Sequence, residues 1–278
     1  MSRSHARPRV SLCESGLVPS FAITRDGVRV AYEQHGRGPP LVLIHGLGDD
    51  RTLWSPLVER FAPHFSCISL DLRGHGQTTG ASDFDLFGLH RDVDAVVSEL
   101  GVRRPLVLGH SLGGFVATTY AASQGAKVRA TINVDQPLHL APLASAVASY
   151  QSALQAGEIE RVLMEVLDAI GLGPIPPALR SRLERTRAQL PKEVVLGVWG
   201  SLLQSDVGPL QQRVDDLLGR LVVPYLCLLG REDHAYAPWL RARVPHAELE
   251  GWGDLGHFLH LLEPDRFVRR VLAFAAGC

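Results

Sequence analysis

A mostly parallel eight-stranded α/β sheet, with helices on both faces and an inserted all-helical lid, is the fold this sequence predicts. Three observations lead there. Short β-rich apolar runs recur along the chain with helical patterns between them, and that alternation builds a parallel sheet. The later runs are almost uninterrupted by polar residues, as strands buried on both faces must be. One stretch, residues 136–218, breaks the alternation because it holds no convincing strand.

Taken in order, strands are expected at 21–24 and 28–34, joined by the hairpin signal Arg25-Asp26-Gly27. Further strands are expected at 41–45, 65–71, 105–110, 128–135, 222–230 and 247–252. Helix-like spacing of apolar residues covers 52–61, 84–100, 112–124, 236–244 and 257–276. Within the strandless stretch, helices are expected at 143–156, 158–170, 177–190 and 193–204, with the Gly- and Pro-rich segment 171–177 as a break. The chain then divides into an arm (1–20), a core domain in two segments (21–135 and 219–278) and a helical lid (136–218). A lid inserted there lies over the carboxyl ends of the strands, where open α/β sheets bind ligands.

Composition narrows the function classes. The 278 residues are 46% hydrophobic and 21% charged, which is the balance of a folded domain and not of a disordered chain. Lys and Arg number 28 against 29 Asp and Glu, a formal charge of −1. That leaves no field to attract a polyanion, so nucleic acid and anionic membranes are excluded as main partners, and a small molecule is expected. Cys13, Cys67, Cys227 and Cys278 are far apart and lack C-x-x-C spacing, which argues against a disulfide framework or a zinc site. The first twenty residues carry Arg3, Arg7 and Arg9, but their apolar run breaks too early for a signal peptide. A flexible arm on a cytoplasmic protein is expected. No window approaches the ~18 apolar residues of a membrane span.

The sharpest local feature is Gly109-His110-Ser111-Leu112-Gly113, directly after one expected strand and before an expected helix. This is the nucleophile-elbow pattern G-x-S-x-G in its strand-turn-helix setting. Serine is a poor nucleophile at neutral pH and needs a histidine base and an acid to orient it. Among twelve histidines, His257 is placed best, after the last expected strand, while His260 falls inside the following helix and His234 is a weaker rival. A metal at His257-x-x-His260 lacks further ligands at suitable spacing, so no metal is expected. For the acid, Asp233 in Gly230-Arg231-Glu232-Asp233 begins a loop at a strand's carboxyl end and is the expected partner. Asp135 ends the strand before the insert and stays open, either as the acid or as a pocket residue.

The tetrahedral intermediate of such a reaction needs donors aimed at its oxyanion. The turn His45-Gly46-Leu47-Gly48 follows a strand, and the expected donors are the backbone N–H groups of Leu47 and Leu112. Gly46, His110, Asp135 and Trp199 are expected along the substrate pocket. With these motifs, together with Asp71-Leu-Arg-Gly-His-Gly76, the chain resembles the α/β-hydrolase superfamily from about residue 21 to the end. The resemblance implies a Ser-His-Asp hydrolase that uses no cofactor and passes through an acyl-enzyme on Ser111. In similar proteins the segment 71–76 is a structural turn. Serine at the elbow, in place of aspartate, argues against dehalogenase and epoxide-hydrolase chemistry. The Leu-, Ala- and Val-rich insert, with Tyr150, Met164 and Trp199, suggests an apolar ester or lactone substrate. Carbon–carbon bond hydrolysis with the same triad and a non-catalytic ligand receptor are the two other readings.

Overall fold

Strand order β1-β2-β4-β3-β5-β6-β7-β8 defines one eight-stranded sheet in the computed structural model, which describes residues 19–203 and 206–278. The strands are β1 Ser20–Ile23, β2 Arg29–His35, β3 Pro40–Ile44, β4 Ser66–Leu70, β5 Leu106–His110, β6 Ala130–Val134, β7 Tyr225–Leu229 and β8 Ala247–Gly251. β2 runs antiparallel to β1 and β4, and every other pairing is parallel. β4, β5, β6 and β7 are buried along their whole length, which is why their sequences are continuous apolar runs and not alternating ones.

The helices are α1 Ser55–Phe61, α2 His90–Glu99, α3 Leu112–Gln124, α4 Ala141–Ala148, α5 Gln151–Ala156, α6 Ile159–Ile170, α7 Pro177–Ala188, α8 Lys192–Trp199, α9 Gly208–Leu218, α10 Tyr236–Arg243, α11 Leu259–Leu262 and α12 Pro264–Ala276. α2 and α3 pack into the core on one face of the sheet, and α1 and α12 into the core on the other. α12 shows how the pattern sets the packing: Phe267, Val268, Val271, Phe274 and Ala275 form one buried stripe at helical spacing.

The expected elements are present among the described residues, and the principal differences are these. The helix expected at 143–156 is two, α4 and α5, separated at Ser149 and Tyr150. The helix expected at 257–276 is also two, because Pro264 has no N–H to continue a helix and instead opens α12 at its first turn. His257 therefore lies in the turn before α11 and not at a helix start. α9 was not expected; it begins at Gly208-Pro209, again a proline in the first turn. Residues 1–18 of the expected arm, Cys13 among them, and Gln204 lie outside the described residues, and Ser20 already belongs to β1.

The segment 71–76 is a structural turn that braces the site. Buried Asp71 accepts hydrogen bonds from the Arg51 backbone (2.7 Å), the Arg51 guanidinium (2.6 Å) and the Gln77 backbone (2.8 Å). A Cβ at Gly76, where φ is +51°, would overlap that carboxylate. Next to it, buried Arg73 pairs with buried Asp92 of α2 through Nη2 (2.7 Å) and Nε (3.0 Å). Asp92→Ala is expected to cost up to about 3–5 kcal/mol in denaturant unfolding, because it leaves the buried guanidinium with only the half-buried Asp26 (2.9 Å) as a charged partner. A loss under about 1 kcal/mol would mean that Asp26 and water suffice to hold the Arg73 charge.

Candidate active site

β5 runs straight into α3, and Ser111 sits at the junction with φ +53° and ψ −127°. A non-glycine residue there is strained, and the neighbouring glycines make the turn possible. A Cβ at Gly109 would collide with the carbonyl of Gly113, and a Cβ at Gly113 would collide with the carbonyl of Ile44. The Ser111 N–H donates to the Val134 carbonyl at 2.8 Å. Because His110 pairs with Val134 in the β5–β6 register, the next residue pair up the two strands is Ser111 and Asp135.

Asp135, and not Asp233, is the acid that meets His257. Nδ1 of His257 lies 2.7 Å from Oδ2 of Asp135. A carboxylate only accepts, so Nδ1 carries the proton and Nε2 of the neutral ring keeps its lone pair. Oδ1 of Asp135 accepts the Gly230 N–H at 2.7 Å, and the Asp135 backbone is itself held at φ +52°. Asp233 is solvent-exposed at the cavity rim. Its Oδ1 accepts the N–H groups of Ala235 (3.0 Å) and Tyr236 (2.9 Å), capping the start of α10. The loop after β7 turns into that helix before Asp233 can reach the imidazole. The expected Gly230–Asp233 motif thus acts through its glycine, whose place a Cβ would deny by overlapping Gly256.

His257 is 4% exposed and is held from three directions. Its N–H donates to the Gly171 carbonyl at the end of α6 (2.9 Å), and its carbonyl accepts from Nε2 of His110 (2.8 Å). His110, His257 and His260 pack ring on ring, with centroids 4.5 and 4.4 Å from His110. Burial, then the neighbouring His260 and His257, hold His110 well below the usual imidazole range. Burial likewise lowers His260 to about 3.

Ser111, Asp135 and His257 line one cavity of about 780 Å³ between the carboxyl ends of the strands and the helical insert. Leu47 and Leu112 line it too. As the first residue of α3, Leu112 has an N–H with no intrahelical acceptor. Trp199, Phe115, Leu143 and Val198 make much of the wall apolar. Gly46 and His110 do not line the cavity: Gly46 packs behind Ser111, where a Cβ would stand 3.1 Å from the serine Cβ, and His110 is fully buried beneath His257. Of the insert residues singled out, Trp199 faces the cavity, while Tyr150 and Met164 pack against core clusters. The buried charged wall residues Asp49 and Arg187 were not expected. Arg187 continues the buried stripe Leu179-Leu183-Arg187 of α7, so an arginine on an apolar helical face was the signal.

Comparison with known proteins agrees with this fold. Residues 41–270 match the model of the alpha/beta hydrolase family. Over 258 residues the chain is 29% identical to a pimeloyl-[acyl-carrier protein] methyl ester esterase of Chromobacterium violaceum, covering 86% of this chain and 95% of that one. An esterase from Exiguobacterium antarcticum superposes with a TM-score of 0.78 at 18% identity, covering 93% of this chain and 100% of that one. The enol-lactonase from Burkholderia xenovorans superposes with a TM-score of 0.73, also at 18% identity, covering 92% and 100%. Likeness at that identity speaks to the fold. Among the described residues no helix is long and apolar enough to cross a membrane. With a family match spanning most of its length and an eight-stranded sheet in the same architecture, the chain belongs to the α/β-hydrolase family.

Proposed function

We propose that the chain hydrolyses a carboxylic ester or lactone of a small, largely apolar substrate through an acyl-enzyme on Ser111. The observation that carries this reading is the 2.7 Å His257–Asp135 hydrogen bond beside a strained elbow serine in one cavity. Ser111 Oγ attacks the carbonyl carbon while Nε2 of His257 takes its proton, and Asp135 stabilises the imidazolium that forms. The N–H groups of Leu47 and Leu112 bind the oxyanion. As the intermediate collapses, His257 returns the proton to the leaving alkoxide. Water then attacks the acyl-enzyme with His257 again as base, which releases the acid and restores the serine. The mostly apolar cavity wall favours an apolar acyl or alcohol group, and the methyl ester named for the Chromobacterium relative is a bond of the same type.

The test is a fluorophosphonate, which reacts with an activated serine. Intact protein is expected to gain one adduct, mapped to Ser111 and absent in Ser111→Ala. Esters, lactones and diketones assayed against Ser111→Ala as blank then separate ester from carbon–carbon bond cleavage. Folded wild-type protein that takes no adduct and turns over none of the panel would be a binding protein on this fold.

A further inference from the structure

Leu47 stands between two peptide units, and three of their four polar groups are already occupied. The Gly46 carbonyl accepts from the Asp49 N–H (3.1 Å) and from Nδ1 of His45 (2.8 Å). The Gly48 N–H donates to Nε2 of His75 (3.0 Å). The Leu47 carbonyl accepts from Nη2 of Arg187 (3.3 Å). The fourth group is the Leu47 N–H, the donor assigned above to the oxyanion. Three of the four anchoring groups, His45, His75 and the Asp49 amide, come from the sheet domain. The fourth, Arg187, comes from α7 of the insert.

Arg187 is 2% exposed and lies across the loop, with its Cγ 2.8 Å from where a Gly48 Cβ would stand. Its Nη1 reaches Oδ1 of Asp49 at 3.3 Å. Asp49 is 3% exposed, and its Oδ2 lies 3.2 Å from the position of a Gly46 Cβ, on the serine side of the loop. An unpaired carboxylate there would oppose charge developing on the substrate oxygen, since like charges repel strongly where water is excluded. The guanidinium therefore acts twice on the same loop: it fixes the peptide after Leu47 and it neutralises Asp49.

We propose that Arg187 is a positioning residue for the oxyanion hole, supplied by the helical insert, so that the donor at Leu47 is correctly aimed only while α7 is docked on the loop after β3. This rests on the hydrolase reading above. It makes the insert part of the catalytic geometry as well as a wall of the pocket. Arg182, five residues earlier on α7, bonds Asp50 (2.8 Å) and Thr52 (3.0 Å) but does not touch Leu47, which supplies an internal control.

The experiment uses the full chain and compares Arg187→Met, Arg187→Lys, Asp49→Asn/Arg187→Met and Arg182→Met with wild type. Fluorophosphonate titration counts competent serines, so kcat is expressed per titrated site and misfolded protein drops out. Arg187→Met is expected to lose roughly 10- to 100-fold in kcat per site, the scale of a small misplacement at a reacting centre, with KM within about threefold. The double variant, which removes the stranded carboxylate, is expected to recover part of that loss, as is Arg187→Lys, while Arg182→Met stays within about twofold. Kcat per site within about twofold of wild type in both Arg187→Met and the double variant, or a loss confined to KM, overturns the proposal. Wild-type protein that takes no adduct overturns the hydrolase reading and this proposal with it; adduct formation that is equal in rate for wild type and Arg187→Met overturns this one alone.

Discussion

Asp135→Asn is expected to lower kcat by roughly 10³- to 10⁴-fold, the scale on which a triad histidine depends on its acid. The surrounding bonds dictate why so small a change is so damaging. One oxygen of Asp135 accepts the Gly230 N–H and the other accepts Nδ1–H of His257. An asparagine must keep its carbonyl oxygen toward Gly230, because that amide only donates, and so it turns its NH₂ toward His257. Nδ1 must then become the acceptor, the ring proton moves to Nε2, and no lone pair faces Ser111. Asp233→Asn keeps a side-chain oxygen for the Ala235 and Tyr236 N–H groups and is expected to leave kcat within about twofold, with a stability loss of less than about 1 kcal/mol. Steady-state kinetics on whichever ester or lactone turns over fastest checks both. The reverse ranking would return the acid's role to the loop after β7.

The contrast between these two aspartates shows where sequence reading reaches its limit. The elbow was legible because its constraints are local: Gly109 and Gly113 leave no room for a Cβ within one turn of chain. The strands β4 to β7 were legible because burial on both faces demands uninterrupted apolar residues. Asp135 and Asp233 carry the same local signature, an aspartate just past a strand's carboxyl end. What separates them is non-local. Asp135 stands one strand from Ser111 in matched register, and Asp233 is taken up by the first turn of α10. Gly46 and His110 flank the right residues in sequence, yet they point into the protein behind the site. Arg187 was hidden for a related reason, since its partners Leu47 and Asp49 lie about 140 residues away and only the docking of α7 brings them together.

The buried imidazoles are expected to make the protein acid-labile. His75, His110 and His260 are all buried. Burial, reinforced by the neighbouring His45 for His75 and by His257 for His260, lowers each of those two to about 3, and His110 lies well below its usual range. In the unfolded chain all three titrate near 6.5. Below about pH 6.5 the unfolded state therefore binds more protons than the folded state, and stability falls as pH falls until the folded-state groups titrate. Each histidine contributes about 1.4 kcal/mol per pH unit in the steep part of that window, so three together remove about 4 kcal/mol per unit. Against a typical stability of about 5–15 kcal/mol, unfolding is expected between about pH 5 and 4. Asp26, Asp50 and Asp215, held below the ordinary carboxylate range, act in the same direction lower in the window, and one variant separates the two sources. Among the described residues neither ring nitrogen of His260 has a hydrogen-bond partner, and the ring packs against Trp54, His110 and Phe267. His260→Phe is therefore expected to keep or raise stability at pH 7 and to reduce proton uptake on unfolding at pH 5 by about one. Denaturant unfolding at a series of pH values measures both quantities. A slope identical to wild type would mean that His260 is already charged, or solvated, in the folded protein.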